Sequence, residues 1–210
     1  MTKRVMSRRE VVGGTVIAGA GLAVGAATGA GVASATESEA KIRREQFSFE
    51  VACLGDTMRE IRFEAPGVDA GDRRGSPFAV EGWIYPEGHI PGDGFIPTEQ
   101  GSIGRWFCSG WTIISPERPE PHTNARAMFV LGSITDDDLF PEDLICGSEI
   151  AGTFHVDQVS TEPITGGTGR YFGVTGQTRR HNISKNTTTL FAVGVQAPNF
   201  RYDFDLLYLV

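Results

Sequence analysis

Residues 164–177, ITGGTGRYFGVTGQ, place five glycines around an adjacent Tyr-Phe pair. A dinucleotide-binding loop needs G-x-G-x-x-G followed by a helix, but Phe172 stands where the third glycine is required. The residues at 173–176, GVTG, disfavour a helix, and no Lys-Ser or Lys-Thr pair completes a P-loop. Glycines in a sheet permit positive φ angles, bulges and sharp bends. The stretch therefore predicts bends that shape a β-sheet.

The chain around this stretch predicts many short strands and no helix after the N-terminal segment. Residues 47–54, FSFEVACL, alternate apolar and polar side chains with the period of two that is typical of a half-buried strand. Pro, Gly and Asp clusters separate the strand-like runs. Short strands without crossover helices indicate an all-β fold, either an antiparallel sandwich or a closed barrel. The further runs are 58–63, 78–85, 103–114, 127–134, 144–159, 173–181, 187–195 and 200–210.

Several segments in the second half share an order with one known family. Gly152-Thr153-Phe154 and the GGTG at 166–169 resemble the pattern G-T-F … V-V-G-G-T-G-K-F … A-x-G of the dirigent and allene oxide cyclase barrels. Weaker similarities at 103–105, 131–134 and 202–206 follow the same order, so the resemblance covers about 104–210. It implies a closed antiparallel barrel of about eight strands around an apolar lumen, often trimeric, whose active members use no cofactor.

The first 35 residues predict a twin-arginine signal peptide. Four basic residues, including Arg8 and Arg9, precede an uncharged stretch at 11–32, and Ala-Ser-Ala at 33–35 offers a cleavage site. Seven glycines interrupt the stretch, which argues against a retained membrane anchor. We therefore expect export to the periplasm or the exterior, a flexible leader at 36–46 and a single barrel domain at 47–210.

Charge and cysteine spacing exclude several classes of function. Removal of the signal leaves 15 basic and 25 acidic residues, which disfavours nucleic acid and anionic membranes as partners and favours a neutral or cationic ligand. The cysteines show no C-x-x-C spacing, and the four histidines show no H-x-H or H-E-x-x-H spacing. We expect no metal and no cofactor. Cys108 and Cys146 could form a disulfide, or all three cysteines could be reduced.

Candidate site residues follow from the expectation of a lumen. A carboxylate or histidine removed from water changes its charge balance and can act as an acid or base. His155 and Asp157 share a parity on one predicted strand and could form a coupled pair. For each candidate, the alternative is an exposed or structurally paired polar residue. The catalytic candidates are Glu50, Arg105, His155 and Asp157, and the ligand-binding candidates are Phe47, Phe49, Phe107, Trp111, Phe154 and Tyr202.

The resulting hypothesis is a cofactor-free barrel that holds a small hydrophobic or phenolic metabolite and directs its cyclisation, isomerisation or stereoselective coupling. Holding a flexible substrate in a reactive shape can by itself lower a barrier by several kcal/mol. A non-catalytic carrier of apolar ligands, in the manner of a lipocalin, would need the same lumen, and an interaction module would have its lumen filled by side chains. Residues 127–131 and 206–210 are apolar on both parities, which predicts a covering subunit in a dimer or trimer, or the second sheet of a sandwich.

Overall fold

The structure is a computed structural model of the chain. It describes residues 41–62, 69, 72–117, 123–132, 143–152, 156–190 and 194–209, with the backbone alone at 148–152 and 209. The predicted signal peptide lies outside these residues. Among the described residues, none of the helical segments has the length and apolar character needed to span a membrane.

Eight strands form a closed antiparallel barrel. Each strand pairs with the next one in the chain, and β1 also pairs with β8, so the sheet has no free edge. Full closure provides every strand with two neighbours, so the backbone N–H and C=O groups of the strands find hydrogen-bond partners within the sheet. The predicted fold class is confirmed. The strands are β1 Ile42–Glu60, β2 Pro77–Pro86, β3 Gly104–Thr112, β4 Thr123–Leu131, β5 Leu144–Gly152, β6 Val159–Gly167, β7 Thr175–Leu190 and β8 Val195–Leu209.

Some strand boundaries differ from those expected from the sequence. Strand β1 begins at Ile42, whose partner is Leu209 of β8, so the prediction of a flexible leader is wrong for residues 42–46. The side chain of Arg44 faces outward and donates hydrogen bonds to Asp205 of β8. Glu45, on the other parity, accepts a hydrogen bond from the hydroxyl of Tyr208. The predicted strand at 144–159 is two strands, β5 and β6, because a turn interrupts it.

The glycine-rich stretch forms the end of β6, a single 3₁₀ turn at Gly169–Tyr171, and the start of β7. Gly166 and Gly176 have φ angles of 153° and 137°, which other residues rarely adopt. A Cβ atom at Gly176 would lie 2.2 Å from the carbonyl oxygen of Asp205 on β8. Gly176 therefore allows the backbones of β7 and β8 to approach closely, and the positive φ angles at both glycines support the predicted role of this stretch in shaping the sheet.

The connection between β2 and β3, residues 87–103, folds back over the outside of the barrel, and we call it the outer flap. Its backbone is fixed to β7, since Gly94 N–H donates to the Lys185 carbonyl oxygen and Thr187 N–H donates to the Phe95 carbonyl oxygen. Ile90 of the flap packs on Ala52 and Tyr85, which face outward from β1 and β2. Side chains on this part of the outer wall are consequently buried without facing the lumen.

Beside the region that the flap covers, the outer wall presents three large apolar side chains together with the ion pair of Arg105 and Glu81. Trp83, Phe107 and Met128 lie on the adjacent strands β2, β3 and β4, on the parity that faces away from the core, and each is half-buried. We call these three residues the outer apolar face. The outward side of β8 is polar at Arg201 and Asp203, whereas Leu207, within the run at 206–210 that is apolar on both parities, is exposed.

Candidate binding cavity

The interior of the barrel divides into two ends. At the packed end, aromatic rings fill the lumen: Phe204 stacks on Phe47 at a centroid distance of 5.0 Å and meets Phe49 at 4.8 Å and Phe129 at 5.2 Å. Tyr171 of the 3₁₀ turn closes this end against Phe47. Ring pairs at these separations are favourable beyond their burial alone. The packed end has no room for a ligand.

The cavity end lies toward the connections that follow β1 and β3. The centre of a water molecule can lie anywhere within a volume of about 20 Å³ in this cavity. That volume is enough for one or two water molecules. Most of its wall is apolar, as expected of a ligand site. The lining residues are Cys53, Met58, Phe78, Val80, Trp106, Cys108, Thr123, Arg180, Leu190 and Phe200.

On β1 and β4, the inward side chains become smaller from the packed end to the cavity end. On β1 the inward positions run from Phe49 at the packed end to Cys53 at the cavity end. On β4 they run from Phe129 to Thr123 in the same direction. Interiors are otherwise packed as densely as organic crystals, so this loss of volume leaves space that no neighbour fills.

A buried ion pair stands at the cavity end. Arg180 Nε lies 3.5 Å from Glu162 Oε1, and the two side chains are 3% and 1% exposed. Ser160 Oγ donates a hydrogen bond to Glu162 Oε1 at 3.2 Å, and the Arg180 guanidinium lies 5.1 Å from the ring centroid of Phe200. Both members project inward from adjacent strands, β6 and β7. Burying two charges costs several kcal/mol per ion before their mutual attraction is counted, so the pair is an expensive feature. Arg180 lines the cavity, and Glu162 lies behind it.

A second polar group of the wall is the indole of Trp106. The side chain is 2% exposed, and its Nε1 is buried with no hydrogen-bond acceptor among the described residues. A buried donor without an acceptor costs about 1–3 kcal/mol. The ring position is restricted, because a Cβ atom at Gly82 would lie 2.9 Å from Cε3 of Trp106. Glycine at that position on β2 is what allows the indole to occupy the wall.

The cysteines occupy both sides of the wall. Cys53 and Cys108 line the cavity, whereas Cys146 lies on the outward parity opposite Met128, and all three are free thiols. The pairing of Cys108 with Cys146 is therefore wrong, since strand β4 and the sheet itself separate the two side chains. Burial, with a smaller contribution from Asp56, raises the pKa of the Cys53 thiol, so Cys53 is neutral at physiological pH.

Three of the predicted ligand-binding residues lie inside the barrel. Phe49 and Tyr202 are buried in the core, and Phe47 packs against it. Their placement follows the strand alternation expected from the sequence. All three belong to the aromatic core and none lines the cavity, so their role as ligand contacts stays a prediction.

Four predicted site residues lie outside the lumen. Glu50 is buried under the outer flap, where its Oε2 accepts a hydrogen bond from Ile90 N–H at 2.7 Å. Arg105 pairs with Glu81 on the outer wall, with its guanidinium 4.2 Å from the Trp83 ring centroid. The expected lumen positions of Glu50 and Arg105 are wrong, because the lumen parity belongs to Phe49 and Val51 on β1 and to Trp106 and Cys108 on β3. The same reversal places Phe107 and Trp111 outside, with Trp111 56% exposed.

The predicted His155–Asp157 pair is not on one strand. Asp157 is exposed in the turn between β5 and β6 and has a φ angle of 66°, so the prediction of a shared strand parity is wrong. His155 and Phe154 lie outside the described residues.

Sequence reasoning missed Arg180 and Glu162. Strand β7 carries polar residues on both parities, so hydropathy alternation gives no sign of which side faces the lumen. A usable signal is the buried inward series Thr178, Arg180 and Asn182, but it becomes readable only once the register with β8 is known.

The fold is a closed eight-stranded antiparallel barrel, and it holds a small internal cavity with a mainly apolar wall. Arg180 in that wall pairs with the buried Glu162. Among solved structures, the chain is similar to a pyocyanin demethylase, with 19% identity and a TM-score of 0.46, over 77% of this chain and 99% of that one. It is also similar to two pterocarpan synthase dirigent proteins, both at 14% identity. Their TM-scores are 0.49 and 0.48, over 80% and 79% of this chain and 90% and 95% of theirs. Neither a family model nor a curated protein sequence matches the chain.

Proposed function

We propose that the cavity end binds a small hydrophobic or phenolic molecule and promotes its isomerisation, cyclisation or stereoselective coupling by moving a proton. In this proposal, the apolar wall excludes water and restricts the shape of the substrate. Glu162 would accept a proton from a carbon next to an electron-withdrawing group and return it to another position. Arg180 would stabilise the negative charge that the substrate carries between the two transfers.

The observation that carries this proposal is the buried pair of Arg180 and Glu162 beside an apolar cavity. Well-packed apolar residues in place of a buried ion pair are often as stable or more stable, so stability alone does not account for it. Desolvated acid and base groups in a cleft are typical of catalytic sites. The pair therefore favours a reactive lumen over a passive one.

Binding can be tested with methionine methyl groups as internal probes. Met58 lines the cavity, whereas Met128 lies on the outer apolar face, so the two report on opposite sides of one wall. We expect small aromatic ketones and phenols to shift the ¹³C-methyl resonance of Met58 and to leave that of Met128 unchanged. Substitutions Met58→Leu and Met128→Leu assign the two signals. Shifts of Met128 alone would contradict binding in the lumen.

Proton transfer can be tested separately from binding. In D₂O, a catalytic barrel should speed deuterium incorporation next to the carbonyl group of a bound ketone, as measured by mass spectrometry. Glu162→Gln should lower that rate about 100-fold or more while affinity changes by less than about tenfold. Glu81→Gln, which alters the matched ion pair on the outer wall, should leave the rate unchanged. Binding without accelerated exchange would support the carrier alternative.

Export by the twin-arginine route is part of the proposal. It is supported by the sequence Ser7-Arg8-Arg9-Glu10 ahead of the glycine-rich stretch. Changing Arg8 and Arg9 together to lysine should retain the precursor in the cytoplasm, as measured by fractionation and immunoblotting. Normal secretion of that variant would refute this route.

We also propose that copies of the chain associate through the outer apolar face. The three residues lie on adjacent strands and are half-buried, and the Arg105–Glu81 ion pair lies beside Trp83 and Phe107 on the same side of the sheet. Substituting Phe107→Glu should dissociate the assembly in light scattering, and Arg179→Glu on the exposed side of β7 should not. A wild-type chain that is monomeric at 100 micromolar or so would refute the association.

A further inference from the structure

We infer that the cavity selects a ligand by an uncharged oxygen, of the ketone, quinone or ether type, which accepts a hydrogen bond from the indole N–H of Trp106. The inference rests on the proposed function in that it assumes the cavity to be a ligand site. It goes further, because it names the polar feature by which one apolar molecule is distinguished from another.

The first support is the unsatisfied donor itself. Trp106 is part of the cavity wall and is 2% exposed, and its Nε1 has no acceptor among the described residues. Indole nitrogen is a donor only, so it can be satisfied solely by an acceptor atom. The ring lies against Phe200, at a centroid distance of 5.7 Å, and over Gly82, which limits its reorientation. An acceptor must therefore come to the indole, and the cavity is the space that can hold one.

The second support is the charge balance of the wall. Arg180 is the cationic member of the cavity lining, and Glu162 already pairs with it. An anionic ligand would bring a second negative charge to a guanidinium that has a carboxylate partner, away from water. Cys53 adds a neutral thiol, since burial raises its pKa. The wall consequently suits an oxygen that accepts a hydrogen bond without carrying a charge.

The third support concerns size. The space available holds one or two water molecules, which is less than one aromatic ring. Met58, in the wall, is an unbranched side chain with three rotatable bonds, and it can adopt other rotamers to enlarge the cavity. We therefore place the ligand at about the size of one ring, admitted by movement of Met58.

Three molecules of similar size separate the possibilities: ethylbenzene, acetophenone and benzoate. Affinities would be measured by calorimetry for the wild-type chain, for Trp106→Phe and for Trp111→Phe. Trp106→Phe keeps an aromatic ring and removes the donor, so acetophenone should bind about 5- to 10-fold more weakly and ethylbenzene within about twofold of its wild-type affinity. Trp111→Phe, an exposed outer-wall control, should change neither. Benzoate should bind more weakly than acetophenone throughout.

A spectroscopic readout keeps the test valid if Trp106→Phe does not fold. In wild-type protein labelled with ¹⁵N-indole, acetophenone should shift the Trp106 N–H resonance downfield, and ethylbenzene should shift it less. The resonance is assigned by eliminating those of Trp83 and Trp111 with phenylalanine variants.

The outcomes distinguish this inference from the function on which it rests. Ethylbenzene binding with no acetophenone-specific effect of Trp106, or benzoate binding most tightly, would overturn the selection of an uncharged oxygen and leave lumen binding intact. Failure of all three molecules to perturb Met58 or Trp106 would overturn both. An acetophenone-specific loss in Trp106→Phe, together with the N–H shift, would establish the inference.

Discussion

The packed end and the cavity end of the lumen are built on the same strands and differ in side-chain volume. At the packed end, Phe49 and Phe129 meet with ring centroids 5.4 Å apart and are nearly inaccessible to solvent. Toward the other end, the same two strands present Cys53 and Thr123 to the lumen. The packed end is therefore an aromatic plug. At the cavity end, smaller side chains on β1 and β4 leave space.

This difference shows how a barrel can combine stability with a binding site. The aromatic plug removes large apolar areas from water, and each Å² buried stabilises the fold by about 25 cal/mol. The cavity end therefore does not need to supply that stability. The cavity end can then retain the costly pair of Arg180 and Glu162. Predictions that alter one end and leave the other unchanged test this division.

The largest effect is expected from removing a ring of the plug. Phe129→Ala loses contacts with Tyr202 and Phe204, whose ring centroids lie 4.8 and 5.2 Å away, and should lower the free energy of unfolding by about 3–5 kcal/mol. Cys108→Ala, at the edge of existing space, should lower it by about 1 kcal/mol or less. Urea unfolding followed by circular dichroism measures both. Equal losses would remove the distinction between the two ends.

The next effect concerns the ion pair at the cavity end. Glu162→Ala leaves the Arg180 charge buried without its carboxylate partner and should cost about 3 kcal/mol of unfolding free energy. Glu81→Ala breaks the partly exposed pair with Arg105 and should cost about 1 kcal/mol or less. The same urea experiment compares them. A cost for Glu162→Ala no greater than for Glu81→Ala would show that the inner pair is already solvated.

The sequence predicted an all-β fold because strand alternation and turn residues are local signals, and the resemblance to a known barrel family favoured the barrel over a sandwich. It also placed Phe47, Phe49 and Tyr202 inside correctly, since bulky apolar residues at alternate positions have only one favourable side. The parity of β3 was assigned wrongly, because Phe107 and Trp111 compete with Trp106 and Cys108 for the inner side. That strand is aromatic on both parities, and only its register with β2 and β4 decides the outcome.

The candidate site was less predictable than the fold. Glu50 is buried, as a carboxylate in a functional cleft would be, but it is covered by the outer flap and does not face the lumen. The contact that covers it comes from Ile90, which lies 40 residues away in sequence. Arg180 and Glu162 come together because β6 and β7 pair in one particular register. Burial of a polar residue from a polar strand depends on that register, and no local pattern encodes it.

An intermediate effect is expected from the glycines that form the packed end. Gly176→Ala would impose a Cβ atom 2.2 Å from the Asp205 carbonyl oxygen at a φ angle of 137°, and we expect a loss of about 2 kcal/mol or more of unfolding free energy. Gly173, with a φ angle of 72° and open space around its Cβ position, is the matched control and should lose about 1 kcal/mol. Thermal and urea unfolding measure both variants. A larger loss at Gly173 would show that backbone conformation, and not the close approach of β7 to β8, determines the cost.

The smallest effect is a pH dependence at the packed end. Burial raises the pKa of Tyr171 to about 12, against the opposing influence of Arg170, whereas a tyrosine in an unfolded chain titrates near 10. The folded state therefore holds the phenol proton more tightly, so its contribution is fully present below pH 10 and is lost as the pH rises from 10 to 12. By pH 11 the loss amounts to about 1 kcal/mol once solvent screening is allowed for. Tyr171→Phe cannot ionise, so the difference in unfolding free energy between wild type and this variant should be constant from pH 7 to 9.5 and should shift in favour of the variant above pH 10. Groups that do not interact with Tyr171 cancel in that difference. A constant difference up to pH 11.5 would mean that solvent reaches the hydroxyl and that Tyr171 does not seal the packed end.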